Sequence, residues 1–113
     1  MSSLLIVAPA ATLTASLRFV LEADGYHVTE TKSLAEAAHK TGRFDCTVLD
    51  HHVLAQQDEH DIVRFVKSHQ PVVLLANDLI HPLSKWTFRT LTKPLLGAAL
   101  SQAVRDAVAL RLN

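Results

Sequence analysis

Few side chains in these 113 residues could do chemistry, and they fall into small groups. Asp50 follows the segment Cys46-Thr47-Val48-Leu49, and Lys93 precedes Pro94. A carboxylate and an ammonium can form an ion pair, hold a phosphoryl group or help to hold a divalent cation. His51 and His52 come directly after Asp50, and His60 stands among Asp58, Glu59 and Asp61. Histidine and aspartate together are the donors that zinc and its neighbours prefer. Adjacent histidines on an extended segment point to opposite faces, however, and no helix carries a histidine pair at i and i+4. The expectation is a polar surface loop whose acids favour the start of a helix. His69 and His81, near loop boundaries, are expected to face solvent. Cys46 lies in a buried run and reads as inert core. Trp86, the only tryptophan, stands with Lys85, Phe88 and Arg89.

These residues need a scaffold, and the hydrophobic pattern supplies one. Leu4 to Ala8 is an uninterrupted apolar run, as in a strand buried on both faces. Leu13, Leu17, Val20 and Leu21 recur at helical spacing, with Thr12 or Thr14 as cap and Gly25 as stop. Tyr26 to Thr31 alternates and reads as a more exposed strand. Ser33-Leu34-Ala35-Glu36 resembles a capping box for a second helix through Lys40, closed by Gly42. Cys46 to Leu49 forms a third strand, ending at Asp50. Ile62, Val63, Phe65 and Val66 mark a third helix. Pro71 to Ala76 gives a fourth strand and Thr87 to Leu91 a weaker fifth. Pro94 is expected to open a last helix with Leu96, Ala99, Leu100, Ala103, Val104, Ala107 and Val108 on its apolar stripe. Such alternation in a chain this short predicts an α/β fold, a doubly wound five-stranded parallel sheet with helices on both faces.

Composition narrows the function. Apolar residues make up 49% of the chain and charged residues 19%, which suits a packed domain. Eleven basic residues balance eleven acidic ones, so no net field favours direct nucleic-acid binding or an anionic membrane. One cysteine excludes an internal disulfide and suits the cytoplasm. No signal peptide or membrane span is legible. Residues 1–113 read as one domain, complete in itself or the N-terminal domain of a longer regulator.

In a sheet of this kind ligands sit beyond the carboxyl ends of the strands. Those ends carry Ala8, Pro9 and Ala10, then Asp50, then Ala76 and Asn77, then Lys93. Here the chain resembles the receiver domain of bacterial response regulators. Leu4 to Tyr26 is similar to its opening, Val48-Leu49-Asp50 to its phosphoacceptor strand, and Leu91-Thr92-Lys93-Pro94-Leu95 to its lysine-proline motif. The resemblance runs along the whole chain and implies the strand order 2-1-3-4-5. It casts Asp50 as the phosphoacceptor equivalent and Lys93 as the switch lysine.

The departures weigh as much as the matches. Where the family carries two acids that hold Mg²⁺, this chain has Ala8 and Pro9; where it carries Thr or Ser, Ala76; and where it carries a switch aromatic, Thr90. Only sixteen residues lie between Ala76 and Lys93, and His81-Pro82 interrupts them. The helix between the fourth and fifth strands is therefore expected to be shortened or absent. One carboxylate makes a poor Mg²⁺ cage, so the resemblance implies an atypical, pseudo-receiver site with no cofactor and Mg²⁺ binding weak or lost. Asp50 and Lys93 are then expected to pair directly, and Asp50→Ala to destabilise by about 3–5 kcal/mol if both charges are buried.

The resulting expectation is a non-enzymatic signalling or dimerisation module independent of phosphorylation. It would act on a protein partner or an attached output domain such as a transcriptional regulator. The alternative is a weakly phosphorylatable receiver taking a phosphoryl group on Asp50 from a histidine kinase. No nucleophile–base pair or glycine-rich phosphate loop supports catalysis. Trp86, Phe88 and Arg89 are interface candidates, since aromatic and Arg residues commonly anchor interfaces. Trp86 could equally plug the space of the missing helix.

Overall fold

Alternation along the first strand decides the layers. In the computed structural model, which describes residues 2–40, 42–78, 81–95 and 97–112 and side chains through residue 110, strand β1 spans Ser3–Val7. Leu4 and Ile6 face one side of the sheet and Leu5 and Val7 the other, and all four are fully buried. Two apolar clusters result, one on each face. The first gathers Leu17 and Leu21 of α1 (Ala11–Ala23) with Leu100, Ala103, Val104 and Ala107 of α4 (Gly97–Leu112). The second gathers Leu34 and Ala37 of α2 (Leu34–Ala38) with Phe65 and Val66 of α3 (Glu59–Ser68).

Five parallel strands stand in the order β2-β1-β3-β4-β5, with β2 at His27–Thr31, β3 at Cys46–Asp50, β4 at Val72–Ala76 and β5 at Arg89–Thr92. Every residue of β3 and β4 is buried, because helices cover both faces of the sheet centre. The edges differ. β2 mixes exposed and buried positions, and no residue of β5 is fully buried. This is the doubly wound α/β fold that the alternating pattern predicts.

Several boundaries move. Neither Thr12 nor Thr14 caps α1, whose N-cap is Ala10 with no side-chain bond. Instead the Thr14 hydroxyl donates back to the Ala10 carbonyl at 3.0 Å, which a threonine inside a helix can do at little cost. Gly25 does end the helix, at φ +96°, where a side chain would be strained. The Ser33 hydroxyl caps α2 by accepting from Glu36 N–H, while the Glu36 carboxylate accepts from Lys32 N–H, one residue earlier than a closed capping box requires. That helix stops at Ala38 rather than Lys40. β5 begins two residues later than its sequence suggests.

The last helix starts at Gly97, not Pro94. Residues 93 and 94 form the connecting bend, and Leu95 after it packs against the first cluster. Ala99 is exposed rather than on the apolar stripe, and Leu96 lies outside the described residues. Between β4 and β5 the described residues hold no α-helix, only a single 3₁₀ turn at Ser84–Trp86. Leu83, 6% exposed, and half-buried Trp86 join the second cluster there and cover the sheet where a helix would otherwise lie.

Candidate functional site

Asp50 and Lys93 reach one another because their strands end side by side with β4 between them. Asp50 is the last residue of β3 and pairs in register with Leu75 of β4. Ala76 pairs with Thr92 of β5, and the Lys93 N–H donates to the Ala76 carbonyl at 3.0 Å. This last bond carries Lys93 past the strand end and turns it over the sheet rim. Its Nζ lies 2.9 Å from Asp50 Oδ1. The carboxylate side chain is 2% exposed and the lysine side chain 22%, so the pair is buried at one end and wet at the other.

The same oxygen does more. Asp50 caps the 3₁₀ turn at His51–Leu54, with Oδ1 accepting from His52 N–H at 3.2 Å. Burial alone would push the Asp50 carboxyl up, but the Lys93 ammonium and the His52 N–H outweigh it and hold the group below its ordinary value. The site therefore keeps a carboxylate, already bonded.

The tight turn overturns the expectation that His51 and His52 point to opposite faces. That argument assumes an extended backbone, whereas the aspartate cap bends it at once. The two rings lie 4.2 Å apart, and His81 stands at an angle to His51 with centroids 6.1 Å apart. His52 Nδ1 is 3.2 Å from Asp50 Oδ1 and also 3.2 Å from Lys93 Nζ. Burial first, then the neighbouring His52 and Lys93, push the His51 imidazole below its ordinary value. His51 Nε2 is buried with no partner. His81 is half-buried rather than solvent-facing, with Nδ1 accepting from Leu83 N–H. His60, with Asp58, Glu59 and Asp61, is exposed on the first turn of α3.

The residues at the neighbouring strand ends are apolar. Ala8 and Ala76 are completely buried, while Pro9 is exposed and lines the cleft mouth with Ala10, Leu13, Asp50, His52 and Lys93. No second acid and no hydroxyl stands at these positions. Thr90 is half-buried, and its hydroxyl lies 3.1 Å from that of Ser84. It ties the 3₁₀ turn to β5. Cys46, 1% exposed, has its thiol pushed up to about 12 by burial first and by Asp45 second, so it carries no thiolate chemistry.

Trp86, Phe88 and Arg89 do not form one patch. Trp86 packs on the second cluster with Lys67 Nζ 4.4 Å from its ring centroid, whereas Phe88 packs on the first. Arg89 stacks beside Phe88 and reaches Asp106 of α4 at 2.9 Å. With side chains 39% and 37% exposed, this surface pair is screened by water and adds little to stability; a double-mutant cycle on Arg89→Ala and Asp106→Ala is expected to show weak coupling. No signal at short range could have matched Arg89 to an acid on a helix beyond the next bend.

No helix among the described residues is long and apolar enough to cross a membrane. No protein-family model matches the chain, and no curated protein matches it closely enough to count as a relative. Solved structures do match. A response-regulator receiver domain from Clostridium thermocellum superposes with a TM-score of 0.81 at 22% identity, covering 99% of this chain and 98% of that one. The receiver domain of a sensor histidine kinase from Pseudomonas aeruginosa PAO1, with a magnesium ion in its active-site cleft, gives 0.78 at 18% identity over 96% and 98%. A structure described as an adenylate cyclase from Rhodopirellula baltica gives 0.81 at 18% identity over 97% and 89%. At these identities the likeness is one of fold, and over its whole length the chain has the fold of a response-regulator receiver domain.

Proposed function

We propose that this chain is an atypical receiver module of a two-component system that works by protein–protein contact, without phosphorylation at Asp50. One observation carries the reading. At the ends of β1 and β4, where the resemblance places two metal-binding acids and a hydroxyl, the chain has Ala8, Pro9 and Ala76, which bind neither metal nor phosphoryl. Phosphoryl transfer to a carboxylate depends on positioning and on neutralising charge, and among the described residues Lys93 is the cation paired with Asp50. Losing one such preorganised group costs on the order of 10²–10³ in rate, and three are missing. Mg²⁺ binding is accordingly weak or lost, and the module has no catalytic activity of its own. Residues 1–113 form one cytoplasmic domain, whose partner is an attached output domain, such as a transcriptional regulator, or a second copy. With balanced charge it does not bind nucleic acid directly.

The second reading is a weakly phosphorylatable receiver fed by a histidine kinase, which the retained Asp50 and Lys93 favour. Amide spectra of the chain with Mg²⁺ and beryllofluoride separate the two. The contact module gives no saturable shift at Asp50, Ala76 or Lys93. Saturable shifts at these three residues would establish the second reading instead.

A further inference from the structure

The three side chains Asp50, His51 and His52 offer ligand atoms that all lie within 4.8 Å of one another. We propose that they form a transition-metal site for a borderline divalent cation of the Zn²⁺ class, which enters by displacing the Lys93 ammonium. The site is independent of whether the module signals without phosphorylation.

Spacing is the first argument. A tetrahedral ion with bonds of about 2.0–2.1 Å sets neighbouring donors roughly 3.3 Å apart. Asp50 Oδ1 and His52 Nδ1 are already 3.2 Å apart. Lys93 Nζ sits 2.9 Å from the first and 3.2 Å from the second, so these two atoms hold a cation between them. The ammonium is on a flexible stem that is partly exposed, and it can swing to water when a doubly charged ion takes its place.

The third ligand has a separate argument. A buried ring nitrogen without a partner is uncommon and calls for an explanation, of which a bound ion is one. His51 Nε2 is such an atom. The aspartate-capped turn brings the two rings to 4.2 Å between centroids, and the ligand atoms of all three residues already lie within 4.8 Å of one another. Two imidazoles and one carboxylate suit Zn²⁺, Co²⁺ or Ni²⁺ and not Mg²⁺, which wants oxygens. Three protein ligands would leave a fourth position open for water or an anion.

The test uses the whole chain with ZnCl₂ and CoCl₂ as the only probes. Calorimetric titration and Co²⁺ visible absorption read affinity and geometry. His51→Ala and His52→Ala are each expected to weaken binding about tenfold or more, and His60→Ala to leave it unchanged. Lys93→Met should tighten binding, because the competing charge is gone, and Zn²⁺ should raise its melting temperature more than that of the parent chain. If Lys93→Met does not fold, the parent chain still decides. Zn²⁺ must then shift the imidazole signals of His51 and His52 and leave those of the other five histidines in place. No uptake at about millimolar metal, or binding lost with His60→Ala and kept with His52→Ala, overturns the site.

Discussion

Lys93→Met is expected to lower stability by about 3–5 kcal/mol at neutral pH, and Asp50→Ala by much less, about 1–2 kcal/mol. The asymmetry follows from where each charge sits. Without Lys93, the Asp50 carboxylate keeps only its His52 bond in a place where its side chain is 2% exposed. A buried charge with no counter-charge must be desolvated without return. Without Asp50, the lysine head is already at the wet end of the pair and rotates into water, leaving mainly a lost turn cap worth about 1 kcal/mol. The sequence alone leads to the larger figure for Asp50→Ala, because it cannot tell which partner has a way out.

The pH dependence of the pair is equally specific. In the parent chain the folded Asp50 carboxyl is held below its unfolded value. Its contribution is therefore fully present above about pH 4 and is lost as pH falls through the folded pKa. In Lys93→Met burial is opposed only by the His52 bonds, so the folded carboxyl is expected to rise, and protonation relieves the unbalanced buried charge. The gap between the two proteins should be widest near pH 7 and should close as pH drops below about 4. Chemical denaturation at several pH values checks this, and an equal loss in both single variants would refute the asymmetry.

How far the sequence could lead depends on the range of each interaction. β1 and β4 are legible because uninterrupted apolar runs have one common cause, burial on both faces, and β3, broken only by buried Thr47 before Asp50, shares it at the sheet centre. Gly25 is legible because few residues other than glycine accept its backbone angle. Thr12, Thr14 and Pro94 mislead for a shared reason. Each is permitted at a helix start, but the start is set by tertiary packing, of Leu95 in the last case. The short stretch before Lys93 shows that a helix would not fit, yet not that Leu83 and Trp86 fill the gap. At the site, Asp50 and Lys93 come from resemblance in order and spacing. The meeting of Asp50 with two adjacent, tilted histidine rings does not, since it needs the 3₁₀ turn that Asp50 itself caps. A side chain that both ends a strand and starts a turn changes the geometry that residue spacing assumes.

Returning an acid to position 8 is expected to be among the most damaging substitutions near the site. Ala8→Asp should lower stability by about 3–5 kcal/mol, while Pro9→Asp should change it by less than about 0.5 kcal/mol. Ala8 is fully buried in the cluster that contains Leu17, Leu100 and Val104, whereas Pro9 is exposed at the cleft mouth. The pair Asp50–Lys93 is already neutral, so an acid at position 8 adds a charge that the one ammonium cannot also balance. A divalent cation could balance it. In the double variant Ala8→Asp with Pro9→Asp, three carboxylates then converge, and Mg²⁺ should recover stability that it does not supply to the parent chain. Binding to the folded state alone contributes about 2.7 kcal/mol when the ion is present at a hundred times its dissociation constant. Melting with and without Mg²⁺ reads this directly. Recovery confined to the double variant would mean that the scaffold still holds the geometry for a magnesium site and lacks only its acids. If Mg²⁺ stabilises the parent chain equally, Asp50 binds it without help, and the case against phosphorylation at Asp50 loses its main support.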